Sequence, residues 1–121
     1  MGNKGLWLSV LSLISIITLL GGLFSGATVY LGLLPSDSHI GVGITAIAVS
    51  VLCHVLNASA SQMNFVSVLF LVGAFWSGLM NIEGKGGDTK THVIVTTIAV
   101  TLSVLTDVLN LRLYIKEKRG R

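Results

Sequence analysis

The chain has 121 residues, of which 52% are hydrophobic and only 11% charged. Soluble domains carry about 25% charged residues, so this composition and a mean hydropathy of +0.85 exclude an ordinary soluble domain and point to a polytopic membrane protein. The net charge of +3 does not indicate nucleic acid, because five of the eight Lys and Arg residues fall in the last ten positions, directly behind an apolar run.

A bilayer core of about 30 Å needs roughly 20 apolar residues as helix, and four segments qualify. The first runs from Gly5 to Leu34 and contains LLGGLFSG, with Gly21, Gly22 and Gly26; each glycine costs a helix interior about 1 kcal/mol against Ala. No small-residue cleavage site follows a short apolar core, so this span reads as a retained anchor. Pro35 then ends the helix, and Ser36, Asp37 or Ser38 is positioned to cap the next. The second span covers His39 to Asn57 and closes on the polar turn NASASQ. The third covers Met63 to Ile82 and carries a second glycine string, GAFWSG, with Gly73 and Gly78. After the loop EGKGGDTKT comes the fourth, His92 to Ile115, and then a basic tail, 116–121. Lys4, Arg112, Lys116, Lys118, Arg119 and Arg121 lie at the end of both termini, against Lys85 and Lys90 at the other. This imbalance predicts cytoplasmic termini in the plasma membrane. Cys53 stands alone, which rules out an internal disulfide and argues against a cysteine-based metal site.

The chain repeats itself. Residues 39–57 laid over 92–110 match at nine of nineteen positions, His39/His92 and Asn57/Asn110 among them. The glycine strings align at an offset of 52: Gly21/Gly73, Ser25/Ser77 and Gly26/Gly78. The expected fold is therefore an all-α, four-transmembrane-helix bundle of two tandem hairpins, 5–57 and 63–115. Both hairpins point the same way, related by an axis along the membrane normal.

That axis sets His39 opposite His92 at the outer ends of spans two and four. Two neutral imidazoles facing each other suit the two axial positions of a haem iron. Gly21, Gly22, Gly26, Gly73 and Gly78 then read as smooth walls beside a flat porphyrin. Phe24, Phe75 and Trp76 are candidates for its edge, and Lys85 and Lys90 for its propionates. The competing explanation is plain: small residues also serve close helix packing, and interfacial histidines can simply be the polar ends of spans.

His54 and Asp107 align in the repeat near the cytoplasmic ends of spans two and four. Ionisable groups inside a span are costly and are functional suspects. Asp107 stands where a second axial histidine is needed, which argues against a second bis-histidine haem. Three readings stay open: a His–Asp pair locking the bundle, a polar relay for quinone or protons, or two separate groups facing partners or headgroups. Arg112 is a further candidate partner for Asp107. The Asn57-Ala58-Ser59 sequon lies on the expected inner face and carries no weight.

LLGGLFSGATVYLGLLPSDSH, a glycine-rich helix passing through a Gly-Leu-x-Pro turn into a helix opened by His, resembles the haem A synthase family. The resemblance implies a four-helix unit in which His39 and His92 hold haem b. The family's outer-loop Glu-x-x-His element and outer-loop cysteine pair are absent here. Three functions follow as expectations. The first is a b-type cytochrome-like electron carrier, alone, as a homodimer, or as a haem subunit of a respiratory or quinol-linked complex. The second is a half-size haem-modifying enzyme, for which Asp37, Glu83 and Asp88 are the only acids near the outer histidines. The third is a cofactor-free accessory subunit of a larger membrane enzyme.

Overall fold

A computed structural model describes residues 2–83 and 89–120. They form four helices: α1 (Gly2–Tyr30), α2 (Ser36–Leu56), α3 (Met63–Glu83) and α4 (Thr89–Arg119). Each is long and apolar enough to cross a membrane. All four begin earlier or run on later than the apolar runs alone indicate. The first span stops short at its far end: residues 31–34 leave the helix through a turn in which Gly32 has φ of 78°, a conformation open to glycine. Pro35 occupies the N-cap of α2 with extended backbone, and no side chain caps this helix. The expected cap from Ser36, Asp37 or Ser38 is thus replaced by proline-set backbone geometry. At the other end α4 continues through Arg119, so the expected basic tail is mostly helix. Lys, Arg and Glu are good helix formers, and the helix does not need the bilayer to continue.

The helices close into a ring. α1 packs on α2 and α4, and α3 packs on α4 and α2, which leaves α2 and α4 across a diagonal. A Cβ on Gly5 would meet the Tyr114 ring, so the start of α1 lies beside the end of α4 and the two termini share one end of the bundle.

The interior inverts the pattern of a water-soluble bundle. Thirteen polar residues are buried against seven apolar ones among the described residues. On α1 the buried positions are Ser9, Ser12, Ser15, Leu19, Gly22 and Ser25. Leu13, Ile17, Leu20 and Phe24 face outward. In lipid there is no hydrophobic gain from burying leucine, so helices associate through small residues and interhelical hydrogen bonds. The apolar part of the core is a short collar of Leu19, Ala46, Leu71, Ala74, Ala99 and Val100, flanked by Ile47, Val51, Val95 and Val104.

Candidate functional site

His39 and His92 are each the fourth residue of their helix, α2 and α4. The fold brings them together: their ring centroids are 6.1 Å apart and the planes are inclined at 57°. A matching pair of serines fixes each ring. Ser25 Oγ lies 2.9 Å from His39 Nδ1, and Ser77 Oγ lies 3.0 Å from His92 Nδ1. Each serine donates its single hydroxyl proton to a carbonyl one turn back, Ser25 to Gly22 at 2.8 Å and Ser77 to Ala74 at 2.9 Å. A hydroxyl that has spent its proton can only accept. The donor count therefore assigns the proton of both imidazoles to Nδ1 and leaves an unprotonated lone pair on each Nε2. Thr96 Oγ1 adds a longer contact, 3.3 Å, to Nδ1 of His92.

Two glycines make room for these rings. A Cβ on Gly26 would lie 3.0 Å from His39 Cε1, and one on Gly78 would lie 2.8 Å from His92 Cε1. The approach at Gly78 is closer than side chains accept and the one at Gly26 is tight, so each histidine is seated on a bare stretch of the preceding helix. The other glycines of the two strings sit elsewhere. A Cβ on Gly22 would lie 3.6 Å from Ala46 Cβ on α2, and one on Gly73 would lie 3.8 Å from Val95 Cγ1. Gly21 meets nothing within 4 Å and lines an outer groove with Thr18, Gly41, Val42 and Thr45. Phe24, Phe75 and Trp76 are all exposed on the outer faces, as is Lys90. Lys85 and Asp88 lie outside the described residues, and of Glu83 only the backbone is described. Asp37 is exposed in the first turn of α2.

The donor set suits one metal held between two imidazoles. Metal–nitrogen bonds of about 2 Å on opposite sides of a single ion set two ring centroids about 6 Å apart, matching the separation seen here. Second-shell hydrogen bonds to the remote nitrogen are the usual means of fixing a ligating histidine. Among the described residues no group of three or more His, Cys, Asp or Glu side chains converges.

A second constellation occupies the opposite end of the bundle. His54 and Asp107 are both fully buried, with Nε2 3.9 Å from Oδ1. This excludes the reading in which they face headgroups or partners separately. Neither touches the other as a direct hydrogen bond. His54 Nε2 instead lies 2.6 Å from Ser103 Oγ, and its Nδ1 lies 2.9 Å from Asn64 Oδ1. Asp107 accepts from Ser15 at 2.7 Å and from Cys53 at 3.5 Å, and Ser50 bonds Ser15 at 2.7 Å. Asn64 and Asn110 exchange amide hydrogen bonds at 3.2 and 2.9 Å. Ser67 meets Thr106 at 2.9 Å. Among the described residues no buried side-chain nitrogen or oxygen lacks a partner. Arg112, by contrast, is exposed and takes no part in this network.

Sequence reasoning missed Ser25 and Ser77 as supports for the histidines, and Ser12, Ser15, Asn64 and Ser67 as partners of the inner network. The signal was present: Ser12/Asn64, Ser15/Ser67 and Ser25/Ser77 are all polar pairs at the offset of 52 that relates α1 to α3. Comparison with family models, with curated proteins and with solved structures finds no match.

Proposed function

We propose that this chain is a membrane haem-binding unit of the b-type cytochrome kind, with His39 and His92 as the two axial ligands. The observation that carries the reading is the pair of imidazoles 6.1 Å apart, each with Nδ1 tied to a serine and its lone pair on Nε2. A haem bound by His39 and His92 would supply one-electron chemistry, the work of a carrier. The chain's own part is positional. Ser25 and Ser77 hold the tautomer, Gly26 and Gly78 let the rings lie against α1 and α3, and Lys90 stands exposed at the same end to meet acidic groups.

The remaining assignments follow from the same frame. The two hairpins are tandem copies related by an axis along the membrane normal, supported by the recurrence of Ser–His and Gly–His contacts in both. The shared end of the termini faces the cytoplasm, supported by the excess of Lys and Arg there. The haem accordingly lies near the outer surface of the plasma membrane. A small intramembrane carrier of this kind works within a larger respiratory or quinol-linked complex, or as a homodimer.

The test is a visible spectrum of protein purified after expression with added haem. A Soret band that sharpens and shifts on reduction is expected, lost in His39→Ala and in His92→Ala and retained in His54→Ala. A colourless, folded protein refutes the assignment, and loss of the band only in His54→Ala moves the ligand to the other end of the bundle.

A further inference from the structure

The outer surface of α4 near its C-terminal end carries a groove of about 520 Å³ lined by Leu109, Arg112, Leu113, Ile115, Lys116 and Arg119. At about 100° per residue the three cations fall within one narrow arc of the helix, flanked by Leu109 and Leu113 on one side and Ile115 on the other. Among the described residues no carboxylate lines it. Asp107, one and a half turns below, is wholly buried and already engaged by Ser15 and Cys53. Arg112 sits between Leu111 and Leu113 at the lower end of the groove, and its side chain is exposed outward. A guanidinium at that depth on a lipid-facing helix is costly without an anion, and its planar fork matches phosphate oxygens.

We propose that this groove is a binding site for one anionic phospholipid. Arg112 and Lys116 take the phosphate, Arg119 takes the headgroup above it, and Leu109, Leu113 and Ile115 receive the first stretch of an acyl chain. The charge arrangement selects the occupant. Three cations over an apolar floor complement a molecule that is negative at one end and hydrocarbon below it, whereas free phosphate satisfies only the upper half. Lys118 projects to the opposite side of the helix and serves as a control. The site is independent of haem and stands or falls without it.

The experiment is native mass spectrometry of the full chain in mild detergent, titrated with phosphatidylglycerol or phosphatidylcholine of matched acyl chains. One phosphatidylglycerol should stay bound at collision energies that strip phosphatidylcholine. The preference should fall by about fivefold for each cation removed in Arg112→Gln, Lys116→Gln and Arg119→Gln, and hold in Lys118→Gln. Deacylated glycerophosphoglycerol should not compete. Equal retention of the two lipids by the parent protein overturns the proposal without reference to any variant. An unchanged preference in the triple Gln variant, or full competition by the deacylated headgroup, overturns it as well.

Discussion

Replacing Asp107 tests whether the inner polar layer is a coupled unit. Asp107→Ala removes the acceptor for Ser15 at 2.7 Å and for Cys53 at 3.5 Å, and it takes a carboxylate away from His54 at 3.9 Å. Interhelical hydrogen bonds in membrane bundles are worth about 0.6 kcal/mol on average and about 1.7 at most. The short Ser15 bond belongs near the upper value and the long sulfur contact near the lower, so these two supply about 2 kcal/mol. Leaving the Ser15 hydroxyl and the Cys53 thiol buried with their acceptor gone adds a desolvation cost on top of the lost bonds, and the expected total is about 3 kcal/mol. His54→Ala strands Asn64 and Ser103 and should cost a similar amount. The informative measurement is the double variant in a cycle, read by unfolding in mixed detergent micelles with far-ultraviolet circular dichroism. Contacting residues couple by about 0.5–3 kcal/mol, and the double variant should fall short of the sum of the singles by about 1 kcal/mol or more. Additive losses would mean that the two residues stabilise the bundle separately and that their approach has no energetic content.

Other perturbations separate the roles of individual residues. Gly78→Ala should displace the His92 ring, since its Cβ would lie 2.8 Å from Cε1; haem content per protein should drop at least as far as in Gly26→Ala, where the approach is 3.0 Å. Gly21→Ala meets nothing within 4 Å and should leave haem content unchanged while raising stability by up to about 1 kcal/mol, and a loss of haem in this variant would return Gly21 to the porphyrin wall. Ser77→Ala frees Nδ1 of His92 and should alter the reduction potential and the low-spin electron paramagnetic resonance signature while haem stays bound; an unaltered signature would show that Thr96 fixes the tautomer instead. Asn110→Leu breaks the reciprocal amide pair with Asn64 and should lower the unfolding midpoint without changing the visible spectrum.

The four helices were legible because hydropathy is a property of long windows, and each window here is unambiguous. Their ends were not. Pro35 imposes an extended backbone that lets α2 begin at Ser36, three residues before the histidine that seemed to open it. The charged residues after Ile115 prolong α4 because they favour helix irrespective of lipid. The meeting of His39 and His92 was legible through the repeat, which fixed their equivalent places on two helices. The glycines were only half legible. Spacing marks where small residues lie but not which of them faces a ring, and two of the five named for the site do so at close range: Gly26 and Gly78. The inner network was nearly invisible because serine and threonine in a hydrophobic run can bond their own backbone at no cost to the pattern, as Thr45 and Thr97 do here.

The order of layers along the bundle separates the two polar sites. The fifteen residues from His39 to His54 span about 22 Å of helix. Between them stands an apolar collar of Leu19, Ala46, Leu71, Ala74, Ala99 and Val100. The inner layer is also closed on itself, since its described side-chain donors and acceptors are satisfied within the bundle. A closed layer of directional bonds resists the sliding that greasy helices otherwise permit: moving α2 by one turn against α3 would break the His54–Asn64 bond and the bond from Asn64 to the Asn57 carbonyl. Buried polar contacts are best attested as devices that fix register. The outer site depends on that register, because a one-turn slip of about 5.4 Å in either α2 or α4 would carry His39 away from His92. The same slip would break the bonds of the His54–Asp107 layer, so both polar sites share one helix register.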